Sequence, residues 1–218
     1  MIHAANIDYK AELARKGIHF LSLSIPIIYY YIDRDLALTL LVPITLAFLT
    51  VDLLRYYHKP TADLFYKIFR FMLRKHEQDE NSKRLNGATN VLIAASLCVI
   101  IFPKLIVLTA FPILIISDSV AALFGRRFGR RKFLQKSVEG SLAFFIFALI
   151  VIAFTPKVDG SMNEYFIGAI AAFVGTVVEA SSWKFDDNLS IPLSVGVIMW
   201  GLYFLMYPSV NLFTLTIR

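Results

Sequence analysis

The chain has 218 residues, 57% of them hydrophobic and 17% charged, with 22 Lys and Arg against 16 Asp and Glu and a formal net charge of +6. A soluble domain averages about half apolar and a quarter charged; here the apolar residues also fall in long runs, so composition excludes an ordinary soluble globule and points to a polytopic membrane protein. A single cysteine, Cys98, excludes an internal disulfide, and the positive charge is read first as topology, not as nucleic-acid binding.

Backbone crossing a bilayer must satisfy its own hydrogen bonds, and apolar runs of about 20 residues do so as helices. The expected fold class is therefore all-α, one transmembrane domain over residues 1–218. In chain order the spans are read as 17–32, 36–54, 85–102, 104–125, 137–155, 164–182 and 189–210. The first is short, and no cleavable signal peptide is expected around it. Residues 60–76 differ from the rest. Leu64, Phe65, Ile68, Phe69, Met72 and Leu73 recur at helical spacing, with Lys67, Arg70, Arg74 and Lys75 between them. That pattern predicts an amphipathic helix lying in the membrane interface.

Positive charge orients these spans. With the N-terminus inside, the outer segments hold only Arg34, Lys104, Lys157 and Arg218, and every other cation falls on the cytoplasmic side. The expectation is a multi-pass protein with its N-terminus cytoplasmic, its cations against anionic lipid headgroups, and, by default, the plasma membrane of a prokaryote as its home. Ionisable residues inside spans are costly and usually functional. In this topology His19, Asp52, Asp118, Glu139 and Glu179 all lie at cytoplasmic span ends, with Asn86, Asn90, Asp186, Asp187 and Asn188 beside them. A transporter site usually lies near the midplane. A site gathered at one face suits an enzyme that takes a soluble substrate from the cytoplasm and a lipid from the bilayer.

The stretch SDSVAALFGRRFGRRKFLQKSVEGS, residues 117–141, concentrates the chemistry. Ala121, Ala122 and Gly125 follow Asp118 at i+3, i+4 and i+7, so small residues share its helix face and admit another helix or a ligand. Gly125 and Gly129 bracket Arg126 and Arg127, whose guanidinium forks match phosphate oxygens. Lys136, Ser137 and Glu139 open the next span, where a helix N-terminus favours an anion. A carboxylate holding Mg²⁺, which in turn holds phosphate oxygens, completes a Mg²⁺–nucleotide site. In that site Asp118 takes the metal, Lys136 and the arginines take the phosphates, and the glycines allow close backbone approach.

The pattern D-x-x-A-x-x-x-G-x-x-x-G-x(6)-K-x-x-E-G, met by Asp118, Ala121, Gly125, Gly129, Lys136, Glu139 and Gly140, resembles the CTP-using membrane superfamily. That superfamily includes the phosphatidate cytidylyltransferases and the CTP-dependent lipid kinases, among them dolichol, phytol and farnesol kinases and the fungal-type diacylglycerol kinase. VEASSWKFDDNLSIPL, Val178 to Leu193, is similar to a second kinase motif, and ARKGIHFLSLSIP, through Arg15, Lys16 and His19, to their opening. LNGATN, Leu85 to Asn90, is similar to the kinases as well. Ser137 and Val138 depart from the threonine and bulky residue of many relatives.

The resemblance implies transfer of the terminal phosphate of CTP to the hydroxyl of a membrane lipid alcohol, with Mg²⁺ as cofactor. It implies Asp118 and Asp187 as metal ligands with Glu179 or Asp186 helping, and Lys136, Arg126 and Arg127 on the triphosphate. Asn86, Asn90 and Asn188 suit cytosine, ribose or metal-bound water. Arg15, Lys16 and His19 suit the lipid hydroxyl or a phosphate. Glu139, Asp186 and His19 are candidate general bases, and Glu139 is equally suited to capping its helix. A cytidylyltransferase, which attacks the α-phosphate, and a non-enzymatic transporter are the rivals. The long C-terminal signature of the cytidylyltransferases is missing here, and no internal repeat of a transporter is found.

Overall fold

The computed structural model describes residues 16–17, 19–69, 85–181 and 186–215. Arg15, residues 70–76 of the expected interfacial helix, and Lys184 lie outside the described residues. The helices are α1 (Ser24–Tyr31), α2 (Arg34–Leu54), α3 (Lys59–Phe69), α4 (Gly87–Ile101), α5 (Lys104–Pro112), α6 (Asp118–Phe128), α7 (Val138–Phe154), α8 (Met162–Ser181) and α9 (Asp187–Met206). A π-helical turn, Ile113–Ser117, joins α5 to α6, and a two-stranded hairpin, β1 (Lys132–Phe133) and β2 (Lys136–Ser137), precedes α7. The class is therefore all-α, and among the described residues four helices are long and apolar enough to cross a membrane: α2, the continuous Lys104–Phe128 helix, α8 and α9. α4 and α7 are apolar but shorter.

The first expected span, 17–32, is not one continuous helix. Pro26 has no N–H and its ring crowds the carbonyl four residues back. The chain ahead of it tightens accordingly: Ser22 N donates to His19 O and Leu23 N to Phe20 O, both at 3.0 Å across three residues. Residues 16–17 and 19–21 are helical, a turn follows at Ser22 and Leu23, and helix resumes at Ser24.

The Lys104–Phe128 helix is the most buried of the four long ones. α7 packs along it, α9 and α1 lie on its α5 half, α8 packs between α7 and α9, and α2 lies outside on α4. Leu105, Ile106, Phe111, Ile113, Leu114 and Ile115 are fully buried and form the core with Phe144, Ile167 and Ile191. Without water between them, apolar helices gain by close packing, and small residues allow it. A Cβ on Gly196 of α9 would stand 2.5 Å from the Phe102 ring, and one on Gly168 of α8 would stand 2.6 Å from Ile152 Cγ2.

Three of the four expected outer cations have a structural task; Arg218 lies outside the described residues. Lys104 Nζ donates to the carbonyls of Tyr30 and Ile32 at 3.0 and 2.8 Å, at the end of α1. Arg34 caps Ile100 O at the end of α4, and Lys157 caps Ile152 O and Thr155 O at the end of α7. Helix C-termini expose carbonyls and the negative end of the dipole, so these are the places where cations belong. The expectation that buried acids keep to one end fails here. Glu164 is buried in the first turn of α8, the far end of the helix from Glu179. It accepts from Val158 N, Asp159 N and Gly160 N at 2.7, 3.0 and 2.7 Å, and from the Tyr203 hydroxyl at 2.7 Å.

Candidate functional site

The opposite end of the bundle gathers three helix starts. Asn86 Oδ1 accepts from Thr89 N at 3.0 Å, Ser137 Oγ from Gly140 N at 3.1 Å, and Asp186 Oδ1 from Asn188 N at 2.9 Å. Asn, Ser and Asp are the residue types that favour an N-cap. The starts of α4 and α9 abut, since a Cβ on Gly87 would stand 3.7 Å from Asn188 Nδ2. The start of α7 joins them through Lys136, whose Nζ lies 3.2 Å from Asp187 Oδ2. Positive dipole ends therefore collect in one region, a setting that favours anions.

Asp118 enters this region from the central helix. Pro112 removes one N–H from the helical ladder, and Ile113–Ser117 then take the wider π turn. A π turn holds an extra residue and commonly sits at functional sites. Asp118 follows it directly and is 6% exposed. Its Oδ2 accepts from the Lys16 ammonium, itself 4% exposed, in a buried ion pair spanning 102 residues of sequence. His19 and Lys136 lie within electrostatic reach of the same carboxylate.

Lys136 is the second centre. Its ammonium stands 3.1 Å from Glu179 Oε1 and 3.2 Å from Asp187 Oδ2, at the end of α8 and the start of α9. Burial alone would lower its pKa, but the carboxylates of Asp187, Glu179 and Asp118 outweigh burial and hold it above the ordinary lysine value. Three carboxylates thus meet two ammonium groups. Among the described residues no group of three His, Cys, Asp or Glu side chains is spaced to hold a metal ion; Asp118, Glu179 and Asp187, expected as metal ligands, contact lysines. Polar atoms without partners lie close by in the chain. The hydroxyls of Ser117 and Ser119, either side of Asp118, are buried and unbonded, as are Ser141 Oγ on α7 and Glu179 Oε2. A buried polar atom left unmet costs about 1–3 kcal/mol.

Other expected site residues take structural positions. Gly125 and Gly129, expected to admit another helix or a ligand, admit the chain itself. A Cβ on Gly125 would stand 3.1 Å from Ser137 Oγ, and one on Gly129 would stand 2.2 Å from Gly125 O and 2.8 Å from Ser137 Oγ. These glycines let the hairpin and the start of α7 close on α6. Glu139 Oε2 accepts from Arg130 N and Arg131 N at 3.0 and 3.4 Å, which fixes the loop before β1. Arg126 and Arg127 are exposed in the last turn of α6, where cations suit the helix dipole. Asn86 is a cap, Asn90 is buried on α4, and Asn188 Nδ2 donates to Asp186 Oδ1 at 2.6 Å. Asp52 supports the site from behind. Its Oδ2 accepts from Asn86 N at 2.7 Å, and its Oδ1 lies 2.9 Å from Arg55 Nε, with both side chains fully buried.

The Lys16–Asp118 pair and the π turn were missed by sequence reasoning. Pro112 inside an apolar run was the available signal for the turn.

No protein-family model matches the chain, and no solved structure does. An uncharacterized protein of Rickettsia prowazekii (strain Madrid E) is 32% identical to it over 189 residues, covering 86% of this chain and 92% of that protein. With identity and coverage of this extent, the chain belongs to the same family as the rickettsial protein.

Proposed function

We propose that the chain is a CTP-dependent lipid-alcohol kinase, transferring the γ-phosphoryl group of CTP to the hydroxyl of a membrane lipid of polyprenol, dolichol or diacylglycerol type. The observation that carries this reading is Lys136 held between Glu179 and Asp187, close to the Lys16–Asp118 pair, where three helices begin. Phosphoryl transfer asks mainly for positioning and charge neutralisation, and this is a place built from exchangeable charges. CTP as donor rests on the sequence resemblance.

In the reaction, the lipid hydroxyl oxygen bonds to the γ-phosphorus. The bond from that phosphorus to the β–γ bridging oxygen breaks, and CDP leaves with the electron pair. Of the three candidate bases, His19 lies within electrostatic reach of Asp118 in the site itself, which favours it as the acceptor of the hydroxyl proton. Lys136 and Lys16 take the phosphate oxygens once these displace the carboxylates. Mg²⁺ in nucleotide sites uses one or two carboxylates plus phosphate oxygens. Asp118, Glu179 and Asp187 are not spaced as a three-ligand set, so one or two of them, with phosphate oxygens completing the shell, would hold the ion. Such an ion would neutralise charge on the triphosphate.

The same reading takes α1, α4 and α7 as spans beside the four long helices, making seven. It puts the N-terminus and the site on the cytoplasmic side.

The test uses purified protein in detergent with mixed lipid alcohols, phosphatidate, Mg²⁺ and CTP labelled at the γ- or the α-phosphate. Label from the γ-position in lipid, with CDP released, is the expected result. Label from the α-position, with pyrophosphate released, would replace the kinase by a cytidylyltransferase. No lipid label from either position would reject both.

A further inference from the structure

The hairpin that carries Lys136 has a tip that a soluble turn would not have. β1 and β2 pair antiparallel, with Lys132 opposite Ser137 and Phe133 opposite Lys136, so Leu134 and Gln135 form a two-residue turn. Leu134 has φ 51°. That left-handed conformation normally selects Gly, Asn or Asp in such turns, yet a leucine holds it and is 50% exposed. Phe133 beside it is 38% exposed, and Phe124, Phe128 and Val138 around the hairpin are exposed as well. Among these apolar groups stand Arg126, Arg127, Arg130, Arg131 and Lys132, all exposed.

Length argues the same way. α7 has 17 residues, about 25 Å at about 1.5 Å per residue, against a hydrocarbon core of about 30 Å. Taken as the span proposed above, the helix falls short of that thickness by about 5 Å, which the segments flanking it, the hairpin among them, make up at the lipid boundary.

We infer that the hairpin 132–137 is an interfacial anchor, its Phe133–Leu134 tip seated in an anionic lipid surface, and that this seating holds Lys136 against Glu179 and Asp187. Apolar groups in the acyl boundary and cations among the headgroups are the two components of interfacial binding. The link to the site is short. Gln135 N donates to Ala180 O at 3.0 Å, next to Glu179 on α8, and Phe133 and Lys136 are a cross-strand pair, so they share one face of the hairpin. This inference concerns where the hairpin sits and does not depend on which reaction Lys136 serves.

The test is fluorescence quenching at Phe133→Cys. Cys98, the one native cysteine, is buried, so the variant carries one reactive thiol for an environment-sensitive dye. The protein is reconstituted in vesicles of phosphatidylcholine with and without phosphatidylglycerol. Shallow nitroxide-labelled lipid should quench the dye at least twofold more than aqueous iodide does, and more so with phosphatidylglycerol present. Adding Leu134→Gly should cut the lipid quenching at least twofold and leave detergent melting unchanged or higher, since glycine suits the turn. Iodide quenching equal to that of free dye, with none from lipid, would overturn the anchor. Lipid quenching indifferent to phosphatidylglycerol would overturn its anionic character. A Leu134→Gly variant that keeps full lipid quenching would overturn the role of the tip.

Discussion

Replacing Lys16 by methionine isolates the ion pair that ties the N-terminal segment to the central helix. The apolar stem is largely kept and the ammonium is lost, leaving Asp118, 6% exposed, without its direct partner. Breaking a buried pair from one side costs about 3–5 kcal/mol, because the remaining charge stays buried. For a chain of this size, 1 kcal/mol moves the melting temperature by about 2–4 °C, so Lys16→Met should melt about 6–20 °C below the parent in mild detergent. Asp118→Asn strands the ammonium instead and should lose stability on the same scale. The double variant Lys16→Met with Asp118→Asn strands neither charge and should recover most of the loss, since replacing a whole buried pair is often near neutral. Thermal melts of the four proteins close a double-mutant cycle. Losses that simply add, to within about 0.5 kcal/mol, would show that the two side chains do not act on each other and would refute the reasoning.

At the other end of the bundle, Glu164→Gln should lower the melting temperature by more than Tyr203→Phe. It weakens three backbone hydrogen bonds as well as the one to Tyr203, and bonds to a charged acceptor are worth about 1.5–3 kcal/mol each; equal losses would contradict this. Gly196→Leu should abolish a folded, monodisperse peak in size-exclusion chromatography, because its Cβ alone meets the Phe102 ring at 2.5 Å; Gly201→Leu, with nothing within 4 Å of its Cβ, should not. For Lys136 the pH sign follows from a folded pKa above the unfolded one, near 10.4. Its stabilisation is complete below that unfolded value and is lost as pH rises through the folded one. The melting deficit of Lys136→Gln should thus stay constant from about pH 7 to 9 and shrink only above about pH 10.4. A deficit that vanishes by pH 9 would show that the carboxylates do not hold its proton.

The helices were legible in the sequence wherever an apolar run ended in a strong signal. Asp33 and Pro103 fix the starts of α2 and α5, so the runs read as 36–54 and 104–125 coincide closely with helices, whereas the run read as 189–210 passes through Pro208 and overshoots the end of α9 at Met206. The break before Ser24 was less visible, since a proline in a helix's first turn is ordinary. Lys136, Glu179 and Asp187 stood out as charges in apolar surroundings, and the structure brings them together. Gly125 and Gly129 could not be assigned in the same way. A gap in side-chain volume reads identically whether a ligand or Ser137 fills it. Lys16 could not be paired with Asp118 either, because 102 residues of intervening chain carry no register between them. Glu164, the first residue of the expected span 164–182, was not singled out, because its partners are backbone N–H groups and a tyrosine, which leave no charge pattern to follow.

The π turn at Ile113–Ser117 sets the phase of everything after it. Each residue advances a helix by about 100°, from 3.6 residues per turn. Deleting one residue there would make the helix regular and swing Asp118 about a quarter-turn away from Lys16, with Ala121 and Gly125 leaving the seam with Gly140 at the same stroke. The length of this apolar stretch is therefore under constraint even where its composition is not. Leucine, isoleucine and valine can trade places among Leu105, Ile106 and Ile113 at modest cost, whereas a single codon lost between Pro112 and Asp118 would disassemble the charged cluster and the hairpin seam together.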